Sequence, residues 1–236
     1  MYQLLRYGVA LSVALFALSA NADLQQELDN LAPGSSFELP PETLSSLAIR
    51  VPGVSVSCAP ETVIDGAGQG NAVEILAERI TFSGCQVRNW GKDLNELDAG
   101  IFVAREAKGA VVENNRLQGP AFGVWLDATP DVTVRENHIR GDTSLRSQDR
   151  GNGIHLFNTT GALIEGNDIS QTRDAIYIET ANRNTIRGNV MSDLRYGIHY
   201  MYSMHNLLEN NVTRGTRTGY ALMQSKYLKV FNNRSE

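Results

Sequence analysis

Histidine and methionine residues near the C-terminus are spaced so that they could bind a soft metal ion. His199 and Met201 are two residues apart and would share one face of a β-strand, and Met223 follows Met201 by 22 residues. Met204 and His205 come shortly after Met201. Thioether and imidazole ligands together suit Cu(I) better than zinc or calcium. These five residues are therefore candidate copper contacts, with space filling by methionine as the alternative.

A second set of candidate residues carries aromatic and imidazole rings. Each is the third residue of an alternating apolar strand, and the set consists of Phe102, Trp125, His155, Tyr177 and His199, followed by Ala221. If the flanking Ile and Leu side chains point into a core, these rings point away from it. Such a surface stripe could stack on sugar rings or bind another protein. The alternatives are that a loop or the C-terminal tail covers the stripe, or that the orientation is reversed.

Acidic residues near the strand ends are the candidates for acid–base catalysis, which an enzyme that modifies polysaccharides would need. They are Asp98, Asp127, Asp131, Asp142, Asp149 and Asp174. None shares a register with a second acid one repeat away, whereas Asp127 and Glu179 share a register two repeats apart. Solvated turn residues are the better interpretation of this set, and we expect a protein that is not an enzyme.

An internal repeat of about 22 residues positions all of these side chains. One mark of the repeat is an apolar residue followed three positions later by asparagine, and the second is a small residue that opens an apolar strand. The asparagines are Asn115, Asn137, Asn167, Asn189, Asn211 and Asn233, with spacings of 22, 30, 22, 22 and 22. Short Val- and Ile-rich strands that recur at a fixed period predict an all-β, right-handed parallel β-helix. The asparagines are interpreted as scaffold that satisfies buried turns.

The chain is expected to form a single β-helix domain over residues 23–236. A short amphipathic helix ending at Pro33-Gly34 is predicted to cap the open strand edge, with the cap spanning 23–53 and the coils spanning 54–236. Two connections are longer than the usual eight residues, namely 15 from Cys85 to Gly100 and 16 from Asn137 to Gly153. We expect both to project side by side at one corner, either for a partner or ligand or as neutral loop growth.

Residues 1–22 have the pattern of a cleaved signal peptide. Arg6 precedes an apolar run, and Ala20-Asn21-Ala22 is a small-residue cleavage site. The run is too short for a comfortable membrane anchor. Export to a bacterial periplasm is therefore expected, with no membrane span left after cleavage. The remaining 20 basic and 26 acidic residues argue against a nucleic-acid partner.

The two cysteines, Cys58 and Cys85, lie 27 residues apart, which is one coil plus a few residues. Stacked strands lie about 4.8 Å apart, within reach of a disulfide in an oxidising compartment. A structural disulfide and two free thiols both remain open, and a metal thiolate pair is less favoured. Cys85 stands at the asparagine position of an earlier coil, where the series of asparagines would begin.

The segment Gly197-Ile198-His199-Tyr200-Met201-Tyr202-Ser203 and the segment Gly219-Tyr220-Ala221-Leu222-Met223-Gln224-Ser225 closely resemble the NosD family. This family comprises periplasmic accessory proteins for maturation of nitrous oxide reductase. The general repeat, over about residues 62–233, is similar to the carbohydrate-binding and sugar-hydrolase type and is not specific for function. The two quoted segments are much more specific.

The resemblance implies a non-enzymatic role in denitrification. It implies copper as a bound ion, and three partners: an ABC transporter with its membrane subunit, a copper chaperone and nitrous oxide reductase. It assigns His199, Met201 and Met223 to copper contact or docking. NosD proteins are longer, so a C-terminally truncated chain with an incomplete last coil is expected. A carbohydrate-binding or polysaccharide-modifying (lyase- or epimerase-like) β-helix protein and a purely structural fragment are the alternatives.

Overall fold

The computed structural model describes residues 23–236, so the predicted signal peptide lies outside the described residues. Residues 23–29 are helical, Ser147–Asp149 form a 3-10 helix, and 26 short strands form three parallel sheets. Sheet A contains β1 (Ser36–Leu39), β4 (Ser55–Cys58), β7 (Thr81–Ser83), β10 (Val111–Glu113), β13 (Thr133–Arg135), β16 (Leu163–Glu165), β19 (Thr185–Arg187), β22 (Leu207–Glu209) and β25 (Lys229–Phe231).

Each coil also contributes one strand to sheet B. Sheet B contains β2 (Thr43–Leu44), β5 (Val63–Asp65), β8 (Gln86–Arg88), β11 (Arg116–Gly119), β14 (His138–Gly141), β17 (Asp168–Ser170), β20 (Val190–Ser192), β23 (Val212–Arg214) and β26 (Arg234–Ser235). Sheet C contains β3 (Leu47–Ile49), β6 (Val73–Ile75), β9 (Ala99–Val103), β12 (Phe122–Asp127), β15 (Ile154–Phe157), β18 (Asp174–Glu179), β21 (Tyr196–Met201) and β24 (Thr218–Met223). The predicted parallel β-helix is confirmed.

The core is a set of columns of apolar side chains, one residue per coil. In sheet A, Val112 pairs with Phe82 on one side and with Val134 on the other, and all three side chains are fully buried. Their neighbours along each strand face solvent, because successive side chains of a strand point to opposite faces. The alternation of apolar and polar residues therefore places one set of side chains in the core and the other on the surface, and each set forms columns across the stacked coils.

The asparagine series is a buried hydrogen-bond ladder, as the sequence predicts. The Asn137 side-chain oxygen accepts the backbone N–H of Asn115 at 3.0 Å, and its Nδ2 donates to the Val112 carbonyl at 3.0 Å. Cys85 holds the equivalent position in an earlier coil, where its N–H donates to the Asn115 side chain. The ladder satisfies the polar backbone at the corner between sheets A and B, where no strand pairing is available.

A second ladder, which the sequence analysis does not predict, lies at the corner between sheets C and A. The backbone N–H of Asn184 donates to Oδ1 of Asn206 at 2.7 Å, and the N–H of Ala162 donates to Oδ1 of Asn184 at 2.8 Å. Ser203 Oγ accepts the N–H of Ala181 at 3.0 Å. The asparagines Asn184 and Asn206 and the serines Ser203 and Ser225 occupy two positions three residues apart, and each position recurs after 22 residues. Because each pair spans only two coils, the pattern is less visible in the sequence.

The small residue that opens each sheet C strand is required because the backbones approach closely there. A Cβ added to Gly123 would lie 2.5 Å from the carbonyl oxygen of Gly153 and 2.6 Å from a methyl group of Ile139. Both distances are shorter than any ordinary carbon contact. A small residue therefore recurs at the start of these strands because sheet C lies directly against the inward side chains of sheet B there.

The N-terminal cap is shorter than the predicted span of 23–53, because β1, β2 and β3 already form a complete coil within it. The helix over residues 23–29 covers that coil. Gln25 exchanges two hydrogen bonds with the backbone of Ala48, and Leu28 is fully buried. The first coil lacks the asparagine and glycine marks of later coils, which explains why its strands are not visible in the repeat.

The two long connections lie at the corner between sheets B and C. Asn89 from the first and Asp142 from the second line one surface cavity of about 390 Å³. In the first connection the Asp98 carboxylate accepts the N–H of Asp93 at 2.9 Å. In the second, Nε of Arg150 donates to the Leu145 carbonyl at 3.0 Å. The two segments are therefore close neighbours held by their own hydrogen bonds.

Cys58 and Cys85 form a disulfide with a Cα–Cα distance of 5.0 Å. It ties the end of β4 to the turn between β7 and β8 in the next coil. Within residues 23–236, no helix has the length and apolar character needed to cross a lipid bilayer.

Candidate functional site on the outer face of sheet C

The predicted ring residues form one continuous column on the outer face of sheet C. Register pairs join Phe102 to Trp125, then His155, Tyr177 and His199 in turn, and Ala221 follows His199. Ring centroids are 4.1 Å apart for Trp125 and His155, 4.6 Å for His155 and Tyr177, and 4.5 Å for Tyr177 and His199. Adjacent rings mostly meet edge to face, an arrangement that aromatic quadrupoles favour. We call this set the ring column.

The ring column differs from an open surface stripe, because Trp125 and His155 are each only 5% exposed. Phe122 contacts both rings, and Leu94 and Leu97 of the first long connection pack on the same cluster. A loop therefore covers the N-terminal half of the column, one of the alternatives that the sequence leaves open. The C-terminal half of the ring column, around His199, is therefore the candidate site.

Asp174 is the central polar residue of that half, and it is completely buried. It accepts two hydrogen bonds from the Arg195 guanidinium, at 2.8 and 2.6 Å, and lies 3.0 Å from Nδ1 of His199. Burial acts to raise the pKa of Asp174, but the hydrogen bonds and charges of Arg195 and His199 outweigh it and hold the pKa below its usual value. Asp174 is therefore a carboxylate at neutral pH.

Asp174 is not the solvated turn residue that its sequence position suggests, because it is completely buried. The physical reason is that its partners come from the next coil. Arg195 lies 21 residues and His199 lies 25 residues further along the chain. The signal in the sequence is a basic residue about one repeat after Asp174, and the residues of the local turn do not contain it.

His199 is held so that one ring nitrogen remains free. Because a carboxylate can only accept, Nδ1 donates the hydrogen bond to Asp174, and Nε2 is the ring nitrogen outside this contact. Nε2 is buried and has no hydrogen-bond partner among the described residues. The rings of Tyr177 and Tyr196 lie against the imidazole, at 4.5 and 4.9 Å between centroids. An oriented, basic and unpartnered imidazole nitrogen is suited to bind a metal ion.

Two of the candidate methionines lie on the same face of sheet C as His199, and the other candidates do not. Met201 shares the outer face with His199 and pairs in register with Met223, which is 40% exposed. Met204 lies beyond the end of β21 in a backbone bridge to Lys226, and the adjacent His205 stacks on an exposed tyrosine. The structure therefore brings together His199, Met201 and Met223 on one face and places Met204 and His205 at the following corner.

Histidine, cysteine and carboxylate side chains do not by themselves supply a metal site here. Across residues 23–236, no three of them converge as potential ligands. The thioethers of Met201 and Met223 are the other candidate ligands on the face that carries His199. Imidazole and thioether are ligand types that suit Cu(I) better than zinc or calcium.

His155 has a different environment from His199. Its Nε2 lies 3.4 Å from a Glu179 carboxylate oxygen, and its Nδ1 faces the Asn152 amide at 3.3 Å. Burial lowers the pKa of His155, which outweighs the opposing effect of Glu179. Interaction with His155 is the main reason why the pKa of Glu179 lies below its usual value. His155 is therefore a neutral packing residue of the column.

The remaining acidic candidates do not form a catalytic pair. Asp127 and Glu179 share a register through Phe157, two coils apart, as the sequence indicates. Asp149 is paired with Arg146, and Asp131 lies 3.8 Å from the Lys108 ammonium group. In the described strands, none of these acids is the register partner of another on an adjacent coil.

A family model described as periplasmic copper-binding protein (NosD) matches residues 135–236. That range contains Asp174, Arg195, His199, Met201 and Met223. Residues 135–236 belong to the NosD family.

Curated NosD relatives support the same assignment over a wider range. The probable ABC transporter binding protein NosD of Pseudomonas aeruginosa is 52% identical over 117 residues, which is 50% of this chain and 27% of the relative. The protein of the same name from Stutzerimonas stutzeri is 44% identical over 174 residues, which is 72% of this chain and 40% of the relative. The aligned part of the chain therefore spans less than half the length of either NosD relative.

Among solved structures, the chain is similar in fold to a T265N mutant of the periplasmic alginate epimerase AlgG. The TM-score is 0.67 at 12% identity, over 85% of this chain and 51% of the epimerase. At that identity the likeness shows the β-helix fold alone.

Proposed function

We propose that this chain is part of a periplasmic accessory protein that helps to assemble the copper centre of nitrous oxide reductase. In this role it contacts copper as cargo, works beside an ABC transporter and a copper chaperone, and performs no catalysis. The observation that carries the proposal is the environment of His199. Its Nδ1 is held by Asp174, its buried Nε2 has no hydrogen-bond partner among the described residues, and its face of sheet C also carries the register pair Met201 and Met223.

The chemistry of these residues suits an ion that is passed on. The Asp174 carboxylate orients the imidazole and increases its basicity, as carboxylate partners of metal-binding histidines commonly do. Thioethers are soft, neutral ligands that select Cu(I) over harder ions. Met223 is partly exposed, so copper can reach the site from outside. The names of the NosD relatives, which refer to binding an ABC transporter, support the choice of partner.

The alternative function, a polysaccharide-binding or polysaccharide-modifying surface on the ring column, is less favoured. Its N-terminal rings, Trp125 and His155, are covered by the first long connection and by Phe122. Acid–base catalysis would also need two carboxyl groups facing one substrate. The candidate acids in the described strands are not arranged in this way.

A Cu(I) titration against a competing chromophoric chelator tests the metal contact. Replacing Met201 and Met223 together by leucine, or His199 by glutamine, should weaken Cu(I) binding by about tenfold or more. Met204→Leu is the matched control, because this methionine lies at the following corner, and it should leave the affinity unchanged. Unchanged binding in the double variant would remove these residues from the proposed site.

The biological role needs a separate test in a denitrifying bacterium. Deleting the gene should lower the copper content and the activity of nitrous oxide reductase, and the intact gene should restore both. Full copper loading of the reductase in the deletion strain would contradict the accessory role, whatever the titration shows.

A further inference from the structure

The outer face of sheet B carries a compact group of cationic side chains away from the His199 region. Arg116 of β11 pairs in register with His138 of β14, and Arg140 is two residues beyond His138 on the same face. Gln118 pairs with Arg140, and Arg88 pairs with Gln118 from the other side. All five side chains are exposed. We call these five residues the cationic face.

Two arginines of the cationic face lack acidic partners. Neither Arg116 nor Arg140 forms a side-chain hydrogen bond or ion pair within residues 23–236, whereas Arg88 is paired with Asp65 at 2.9 Å. Sheet A shows the opposite pattern. There Arg135 pairs with Glu113 at 2.6 Å and Arg187 with Glu165 at 2.7 Å, each across adjacent coils.

The absence of a neutralising acid matters in a chain whose formal net charge is −5. An arginine with an acidic partner gains little further from an external anion. Two unpaired guanidinium groups near each other can each donate two hydrogen bonds to a carboxylate or sulfate. The cationic face is therefore a local site for an anion on an acidic protein.

Two adjoining cavities show that the site is elongated along the solenoid axis. They measure about 330 and 310 Å³, and both are lined by Arg116, His138 and Arg140. The first extends to Val63 of β5 and the second to Ser192 of β20. That distance covers five strand steps, or about 24 Å at the usual spacing.

The other outward side chains that line the cavities are mostly polar. Gln86, Arg88 and Gln118 line the first cavity, and Asp168, Ser170 and Ser192 line the second. Val63 is the one partly exposed apolar side chain in the lining, because Val87, Leu117 and Ile139 are buried in the core. Folded protein partners usually bury an aromatic or aliphatic core at their interfaces. No large aromatic side chain lines either cavity. Amides and hydroxyls instead match the hydroxyl groups of sugars, while the arginines match their acidic substituents.

We propose that the cationic face binds a linear anionic polysaccharide, laid along the solenoid axis with its carboxylate or sulfate groups on Arg116 and Arg140. Sugar hydroxyls then bond to Gln118 and to the serines further along the groove. Asp168, which lies 3.6 Å from His138, limits the cationic stretch at its C-terminal end. This binding face is separate from the His199 site and does not depend on copper.

The test compares polygalacturonate with neutral dextran and with polyglutamate, using the purified chain at low and at physiological salt. Arg116→Gln with Arg140→Gln should weaken polygalacturonate binding by about tenfold, since two charge-assisted contacts are lost. The matched control is Arg135→Gln with Arg187→Gln, which removes the same charge from sheet A and should change the affinity by less than about twofold. Sulfated dextran distinguishes sulfate from carboxylate as the preferred group.

Each outcome decides for or against the proposal. Binding of polygalacturonate or dextran sulfate that weakens with salt, and that fails only in the sheet B variant, supports it. Equal losses in both double variants would show a response to net charge alone and would overturn it. Equal binding of neutral dextran, tighter binding of polyglutamate, or no binding of either anionic polysaccharide at low salt would each overturn it as well.

Discussion

Asp174 is a buried carboxylate that fixes the orientation of the neighbouring His199 imidazole. Its charge is compensated by Arg195, and its remaining interaction orients His199. The positions of His199, Met201 and Met223 follow from the repeat alone, because the register of a parallel β-helix is set by its period. The position of Asp174 does not, because its burial depends on a turn and on side chains one coil away. This is the part of the candidate site that the sequence analysis could not predict.

Replacing Asp174 by asparagine should destabilise the protein at neutral pH by about 3 kcal/mol, since Arg195 and His199 lose a buried charged partner. The lowered pKa means that the native ion pair contributes stability above the ordinary carboxyl pKa of 3.8 and loses it as pH falls through the folded value. Urea unfolding at neutral pH and near pH 3 measures both effects, and the difference from wild type should shrink in acid.

Asp127→Asn is the control for that measurement, because this acid lies on the same sheet and forms no ion pair within residues 23–236. The substitution should change stability by less than about 0.5 kcal/mol. If Asp174→Asn cost the same at both pH values, the ionised pairing would not be the source of the effect.

The sequence predicts the strands and the corners between them better than any other feature of the structure. Alternation of apolar and polar residues predicts the strands, and regularly spaced asparagines predict the ladder between sheets A and B. The first coil is missed because β1 to β3 lack both marks and are stabilised instead by the helix over residues 23–29. The covering of Trp125 stays one of several alternatives at the level of sequence, because it depends on where the first long connection folds, and irregular segments have no period to reveal that.

The asparagine ladder predicts a large cost for a single substitution at one corner. Asn189→Ala removes the acceptor for the Asn167 N–H and the donor to the Ile164 carbonyl, all of them buried. Leaving such groups unpaired costs about 1–3 kcal/mol each, so we expect a loss of about 3 kcal/mol. Urea unfolding measures the loss, and hydrogen exchange should show faster exchange of the Asn167 amide.

Asn95→Ala, at an exposed position in the first long connection, is the control and should be close to neutral. A near-neutral result for Asn189→Ala would mean that water replaces the ladder, and the interpretation of these asparagines as scaffold would then fail.

At the scale of the whole molecule, three sheets with one architecture present three different surfaces. Sheet A pairs its exposed arginines with glutamates, sheet B leaves two arginines unpaired, and sheet C carries the ring column and the His199 region. Inward positions are constrained by the core and are therefore readable from the sequence. Outward positions are free of that constraint, so their roles depend on neighbours one coil away.

The disulfide predicts how the N-terminal coils depend on oxidation. Cys58 and Cys85 close a loop with a sequence separation of 27 residues, for which the unfolded-state model gives a stabilisation of about 3.5 kcal/mol. Reductant should lower the free energy of unfolding of the wild-type protein by about this amount. The variant with both cysteines replaced by alanine should be less stable and insensitive to reductant. Two alkylatable thiols in the native, unreduced protein would contradict the pairing.

Because the register between coils is constant, each coil adds the same length to the solenoid axis. Duplicating one coil of 22 residues would add one strand to each sheet and about 4.8 Å to the axis, while every existing side chain outside the junction kept its neighbours. Removing a single residue would instead reverse the inward and outward positions of a strand. Natural variation in this family should therefore change the length of the solenoid in whole coils, so that the distance between two surface sites can be altered in fixed increments without redesigning either site.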